Sequence, residues 1–172
     1  PYLSRRAVSF TCARNINERL QRYQTIRRHV ENIPDNNCIH YDRTTNKYSI
    51  MNNNSSVIEL DNQIGSDSVY GVIYKSNLLI RGENTQNVIA TKICAKIPQN
   101  LQEIQISKYL TDSILLRNLT RHFVMYYHKT FECTDRSMIQ HLQYPVLNLQ
   151  HINHGVYITL YERVKGDIYN IF

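Results

Sequence analysis

The stretch "NVIATKICAKIPQNLQEIQISKYL", Asn87 to Leu110, changes its hydrophobic period partway along. From Asn87 to Ile97 apolar and polar residues alternate, the two-residue repeat of a strand with one buried face. From Asn100 onward, "NLQEIQISKYLTDSILL" carries Leu101, Ile104, Ile106, Tyr109 and Leu110 on the expected apolar side of a helix. Two further strands are expected upstream, "VIELDNQI" (Val57 to Ile64) and "YGVIYKS" (Tyr70 to Ser76), and two downstream, "HFVMYYHKTFEC" and "GVYITLYERV". Three strands, a helix and two more strands define an α+β fold. The expectation is a five-stranded antiparallel sheet with one helix packed on a face.

Before this unit the chain is basic. The net charge of +6 comes largely from Arg5, Arg6, Arg14, Arg19, Arg22, Arg27 and Arg28, against Glu18 and Glu31. "NINERLQRYQTIRRHVENI" spaces Ile16, Leu20, Tyr23, Ile26, Val30 and Ile33 at threes and fours, which predicts an amphipathic helix ended by Pro34. Asn15 and Glu18 have the spacing of a capping box. The apolar stripe must be covered, by docking on the following domain or by another protein. Nucleic acid is disfavoured, because basic and aromatic residues do not interleave as a single-strand platform requires. From Pro34 to Ser56 turn formers dominate, with one short alternating stretch, Lys47 to Met51. The expected organisation is a basic helical extension over 1–34, a linker over 35–56 and the α+β unit over 57–172.

A chain of 172 residues, 42% hydrophobic and 20% charged, is long enough for a real core, and no apolar run has the roughly 20 residues of a membrane span. Cys12, Cys38, Cys94 and Cys133 are widely scattered, without the close pairs of a zinc site or a disulfide framework, which favours a reducing, intracellular setting. His151 and His154 in "HINHG" have no other ligand pair near them in sequence, so no metal site is expected. The chain opens on Pro1 without a secretory leader, as a processed or trimmed product would.

Val57 to Phe172 resembles the N-terminal, ATP-binding lobe of a eukaryotic-type serine/threonine protein kinase. "IGSDSVYGVIYKS" is similar to the glycine-rich loop and the strand after it. "VIATKI" is similar to the V-A-I-K stretch and puts Lys92 in the lysine's place; "QEIQISKYL" resembles the start of the regulatory helix, with Glu103 as the pairing glutamate. "RHFVMYYHKTFEC" is similar to the fourth strand, and "YITLYERVKGDIYNIF" to the fifth strand and hinge. The abundance of Tyr and Asn and the loose glycine loop are in the style of divergent kinases of large DNA viruses.

The resemblance implies ATP as cofactor, with Lys92 on its α- and β-phosphates and Glu103 holding that lysine. It implies Ile64, Val72 and Ala90 around the adenine, Tyr161 as gatekeeper, Glu162 to Val164 as hinge, and Asp167 near the ribose. Gly65, Ser66, Ser68 and Gly71 would form the loop over the phosphates. The implied partners are a protein substrate or a structural protein, virion proteins among them, and the implied location is the cytoplasm or the virion.

Departures qualify this. The family's loop is G-x-G-x-x-G-x-V, but Ser66 and Ser68 stand where the first two glycines should be if Gly71 is the third; alternatively Gly65 is the first glycine and the loop carries one extra residue, and either way Asp67 adds a negative charge. The interval from Lys92 to Glu103 is shorter than the family usually has. No H-R-D loop or D-F-G follows the hinge, so the ligands of Mg²⁺ and the catalytic base are not in these residues. The lobe alone is expected to be incompetent for catalysis, as a piece of a longer kinase or a lobe held against a partner. The alternative is a pseudokinase or structural virion component that uses the lobe and basic helix as a binding surface.

Overall fold

Isoleucine and valine recur through the strand-forming segments, where a branched Cβ packs well on a pleated surface. The computed structural model describes residues 16–51, 56–68, 71–81, 87–120, 122–135 and 154–164. Seven strands in these residues form one curled antiparallel sheet: β1 (His40–Asp42), β2 (Lys47–Met51), β3 (Ser56–Ser68), β4 (Gly71–Ile80), β5 (Asn87–Ala95), β6 (Tyr126–Cys133) and β7 (Val156–Glu162). Their spatial order is β1-β2-β3-β4-β5-β7-β6. Helix α1 (Ile16–Glu31) precedes the sheet, and α2 (Pro98–Leu110) follows β5 and runs on through a π-turn at Thr111–Leu115.

The α+β class is as expected, but the sheet has seven strands rather than five. The two extra strands form a hairpin within 35–56. Asp42 accepts hydrogen bonds from the Thr44 amide (2.8 Å) and the Thr45 hydroxyl (2.7 Å), which turns the chain. Tyr41 and Tyr48 then meet across the hairpin, and buried Ile50 pairs with Ile58 of β3. A run of turn formers is thus a hairpin when one buried isoleucine ties it to a sheet edge.

The sheet buries both faces unequally. On one face Val72 and Leu78 of β4, Ile89 and Ile93 of β5, and Ile158 and Leu160 of β7 form the main core. Helix α1 covers this face through Tyr23, Ile26 and Val30, with Ile33 just beyond its end. Removing the Ile26 side chain, fully buried there, would cost about 2–5 kcal/mol. The apolar stripe read from the sequence therefore docks on the following unit. Tyr127 of β6 stacks on Tyr23, with ring centroids 5.7 Å apart.

Strand β6 begins at Tyr126, later than the expected His122. Its ladder with β7 is broken by a bulge between Tyr126 and Thr130, where His128 takes φ 55°.

Helix α2 lies on the other face and presents Ile104 to Cys94, Tyr126 and Tyr157. Leu101, Ile106 and Tyr109, expected to be buried, are exposed. The stripe that meets the sheet is instead largely polar. Asn100 donates to the Ala95 carbonyl (2.8 Å), Glu103 takes Lys92, and Ser107 meets Tyr161. Because these residues recur at helical spacing, hydrophobicity alone could not identify the inward side.

Cys38 and Cys133 form a disulfide, with Cα atoms 4.8 Å apart. Distance along the chain concealed this pairing: 95 positions separate the two residues. Among the described residues no helix is long and apolar enough to cross a membrane.

Candidate functional site

Strand register sets one residue from each of five strands in a row across the sheet: Ile64, Ile73, Lys92, Thr159 and Thr130. The neighbouring row on the same face is Lys75, Ala90, Tyr161 and Tyr126, because residues two apart on a strand share a face. This face is opposite the main core. The ammonium of Lys92 reaches across it to the carboxylate of Glu103 in an ion pair. The Lys92 side chain is 16% exposed and that of Glu103 48%.

Several groups hold this pair in position. Thr159 Oγ1 donates to the Lys92 carbonyl at 3.3 Å. Cys94, the next residue of β5 on this face, is a buried free thiol whose pKa burial pushes up to about 11, against the opposing pull of Lys92. The Tyr161 hydroxyl donates to Ser107 Oγ at 3.5 Å, and its ring lies 5.5 Å from that of Tyr126. Burial raises the Tyr161 pKa, with the Ser107 bond acting in the other direction. Tyr161 therefore serves as a neutral brace between β7 and α2.

Gly71 pairs with Ser68 at the end of the β3–β4 hairpin and has φ 148°. A Cβ there would lie 2.5 Å from the Ile93 carbonyl oxygen, so the close approach of β4 to β5 needs glycine. Gly65, Ser66 and Ser68 lie in the final part of β3, on the path to this hairpin end.

At its last residue β7 is fastened from behind. The Glu162 amide donates to the Met125 carbonyl at 2.8 Å. Its carboxylate accepts from Arg19 Nε at 2.9 and 3.0 Å, from Arg19 Nη2 at 2.6 Å and from the Met125 amide at 3.3 Å. That carboxylate is committed to α1 and is not offered to a ligand. Arg163 donates to the carbonyl of Val164, which is 39% exposed. Asp167 lies outside the described residues, as does His151.

Ile64, Ala90, Lys92, Glu103 and Tyr161 are thus brought to one face. Val72 is not. It pairs with Ile93 and belongs to the main core, 5% exposed, while Ile73 takes the place beside Lys92 and is 40% exposed. A signal for Ile73 was present, since counting two places on from Gly71 in the glycine-loop pattern reaches it. Ser107 and Arg19 carried no such signal, because their roles depend on elements distant in sequence.

The face presents an ammonium paired with a carboxylate beside the exposed side chain of Ile73. Among the described residues no cluster of three His, Cys, Asp or Glu is placed to hold a metal ion. No protein-family model matches the chain, and no curated protein or solved structure does either.

Proposed function

We propose that this chain carries the ATP-binding lobe of a divergent serine/threonine protein kinase. The observation that carries the reading is the Lys92–Glu103 pair on a face shared with Ile64, Ile73, Ala90 and Tyr161. A partly exposed ion pair contributes about 1 kcal/mol or less to stability. Stability alone therefore gives little reason to hold a lysine here, whereas orienting it toward phosphate does. From β3 onward the order of three strands, α2 and two strands also supports the reading, with the β1–β2 hairpin added before it. ATP supplies the transferable phosphoryl group; Lys92 would hold its phosphates, Glu103 would orient Lys92, and Ile64, Ile73 and Ala90 would line the base.

Magnesium-ATP should raise the melting temperature of the full-length protein, and Lys92→Ala should remove most of that rise. A ligand at one hundred times its Kd stabilises by about 2.7 kcal/mol, well within reach of a melting assay. No shift with the native protein at millimolar ATP would end this reading.

A second reading is a pseudokinase or structural component that uses the lobe as a binding surface. It is favoured by the loop, where β3 continues through Ser66, Asp67 and Ser68 rather than glycines before pairing with Gly71. Nucleotide-independent capture of a partner, with no Lys92-dependent stabilisation by ATP, would support it.

A further inference from the structure

Helix α1 is bolted to the end of the sheet by two arginines one turn apart. Arg19 binds both carboxylate oxygens of Glu162, and its Nη2 also donates to the Phe123 carbonyl at 2.5 Å. Arg22 Nη2 donates to the Val88 carbonyl at 2.6 Å. The Arg19 and Glu162 side chains are only 11% and 15% exposed. A two-pronged, largely desolvated pair of this kind fixes direction as well as distance. Its acceptor lies at the end of β7, one residue after Tyr161 and two before Val164. Glu162 also gathers the Met125 amide, so one carboxylate joins α1, the start of β6 and the exit of β7.

We propose that Arg19 is a positioning residue of the nucleotide site, acting through Glu162 to set the backbone of residues 162–164 on which the base would rest. The inference builds on the ATP-binding reading and adds a role for the N-terminal helix: α1 and base binding are energetically coupled. Arg19 packs against the face away from Lys92, so it reaches the ligand only through that backbone. Lys92 addresses the phosphate end of the ligand and Arg19 the base end, which makes their effects separable.

The test titrates the full-length native protein, Arg19→Met, Glu162→Gln and Lys92→Ala with adenosine and with magnesium-ATP, at a temperature where each is fully folded by circular dichroism. Arg19→Met and Glu162→Gln should raise the Kd for adenosine and for ATP alike, by about tenfold, within the usual range of coupling between sites. Lys92→Ala should raise the Kd for ATP and leave that for adenosine nearly unchanged. The charge-swapped pair Arg19→Glu with Glu162→Arg should recover part of the loss. Should Arg19→Met not fold, Arg19→Lys and Glu162→Gln give the same reading. Native affinity for both ligands in the folded variants would overturn the inference and leave the ATP-binding reading standing. Failure of the native protein to bind either ligand would overturn both.

Discussion

Lys92 in β5 and Glu103 in α2 are ion-paired across only eleven positions of chain. The short interval suffices because β5 ends at Ala95 and α2 begins at Pro98. Between them the Lys96 amide donates to the Gly155 carbonyl at 3.0 Å, which holds the end of β5 beside the start of β7 just before the helix begins. Glu103→Gln should then weaken ATP-dependent stabilisation severalfold while lowering stability without ligand by less than about 1 kcal/mol, as expected of a half-exposed partner. Melting curves with and without magnesium-ATP separate the two effects. An equal drop in both conditions would mean that the pair is merely structural.

Val72 and Ile73 make a matched pair of controls, since they are adjacent but on opposite faces. Val72→Ala should cost about 1–3 kcal/mol in urea unfolding and leave nucleotide affinity in the folded protein intact, because it removes core contacts alone. Ile73→Ala should behave in reverse, with a small stability loss and weaker nucleotide binding. Exchanged outcomes would place the ligand on the wrong face.

Gly71→Ala should be strongly destabilising. The new methyl would meet the Ile93 carbonyl oxygen at 2.5 Å on a backbone with φ 148°, and strain of this type costs about 1–3 kcal/mol before any clash is counted. Chemical denaturation measures it, and an unchanged midpoint would show that β4 can move away from β5.

His128 links stability to pH. Its Nε2 lies 2.8 Å from Asp112 Oδ1, and the ring stacks on Tyr126 and meets Tyr23 edge-on. Burial lowers its pKa below the ordinary 6.5, with Arg27 and Lys108 acting in the same direction and Asp112 in the opposite one. The folded state therefore binds fewer protons than the unfolded chain between the lowered value and 6.5. Stability from this group is fully present above 6.5 and falls as the solution is acidified through the folded pKa. His128→Asn, which tolerates the positive φ, should flatten that part of the stability profile. Equal slopes for the native protein and the variant would remove His128 as the cause.

The Cys38–Cys133 disulfide closes a long loop, and loss of a native bridge of this kind typically costs about 2–5 kcal/mol. A reducing agent should lower the melting temperature of the native protein and have no effect on Cys38→Ser. If reductant leaves the native melting temperature unchanged, the two thiols are not joined in solution.

Local patterns in the sequence determined a good deal. Alternation located β3, β4 and β5, and the three–four spacing of Tyr23, Ile26 and Val30 identified the buried side of α1. These features depend on neighbours in the chain, and so a period or an interval reveals them. Other features arose only when the sheet curled and the helices docked. Among them are the β1–β2 hairpin on the sheet edge, the polar inward stripe of α2, the Cys38–Cys133 bond and the grip of Arg19 on Glu162. Each of these depends on strand register or on contact between residues far apart in the chain. A one-residue shift in register exchanges the two faces of a strand, and composition and spacing do not report that shift.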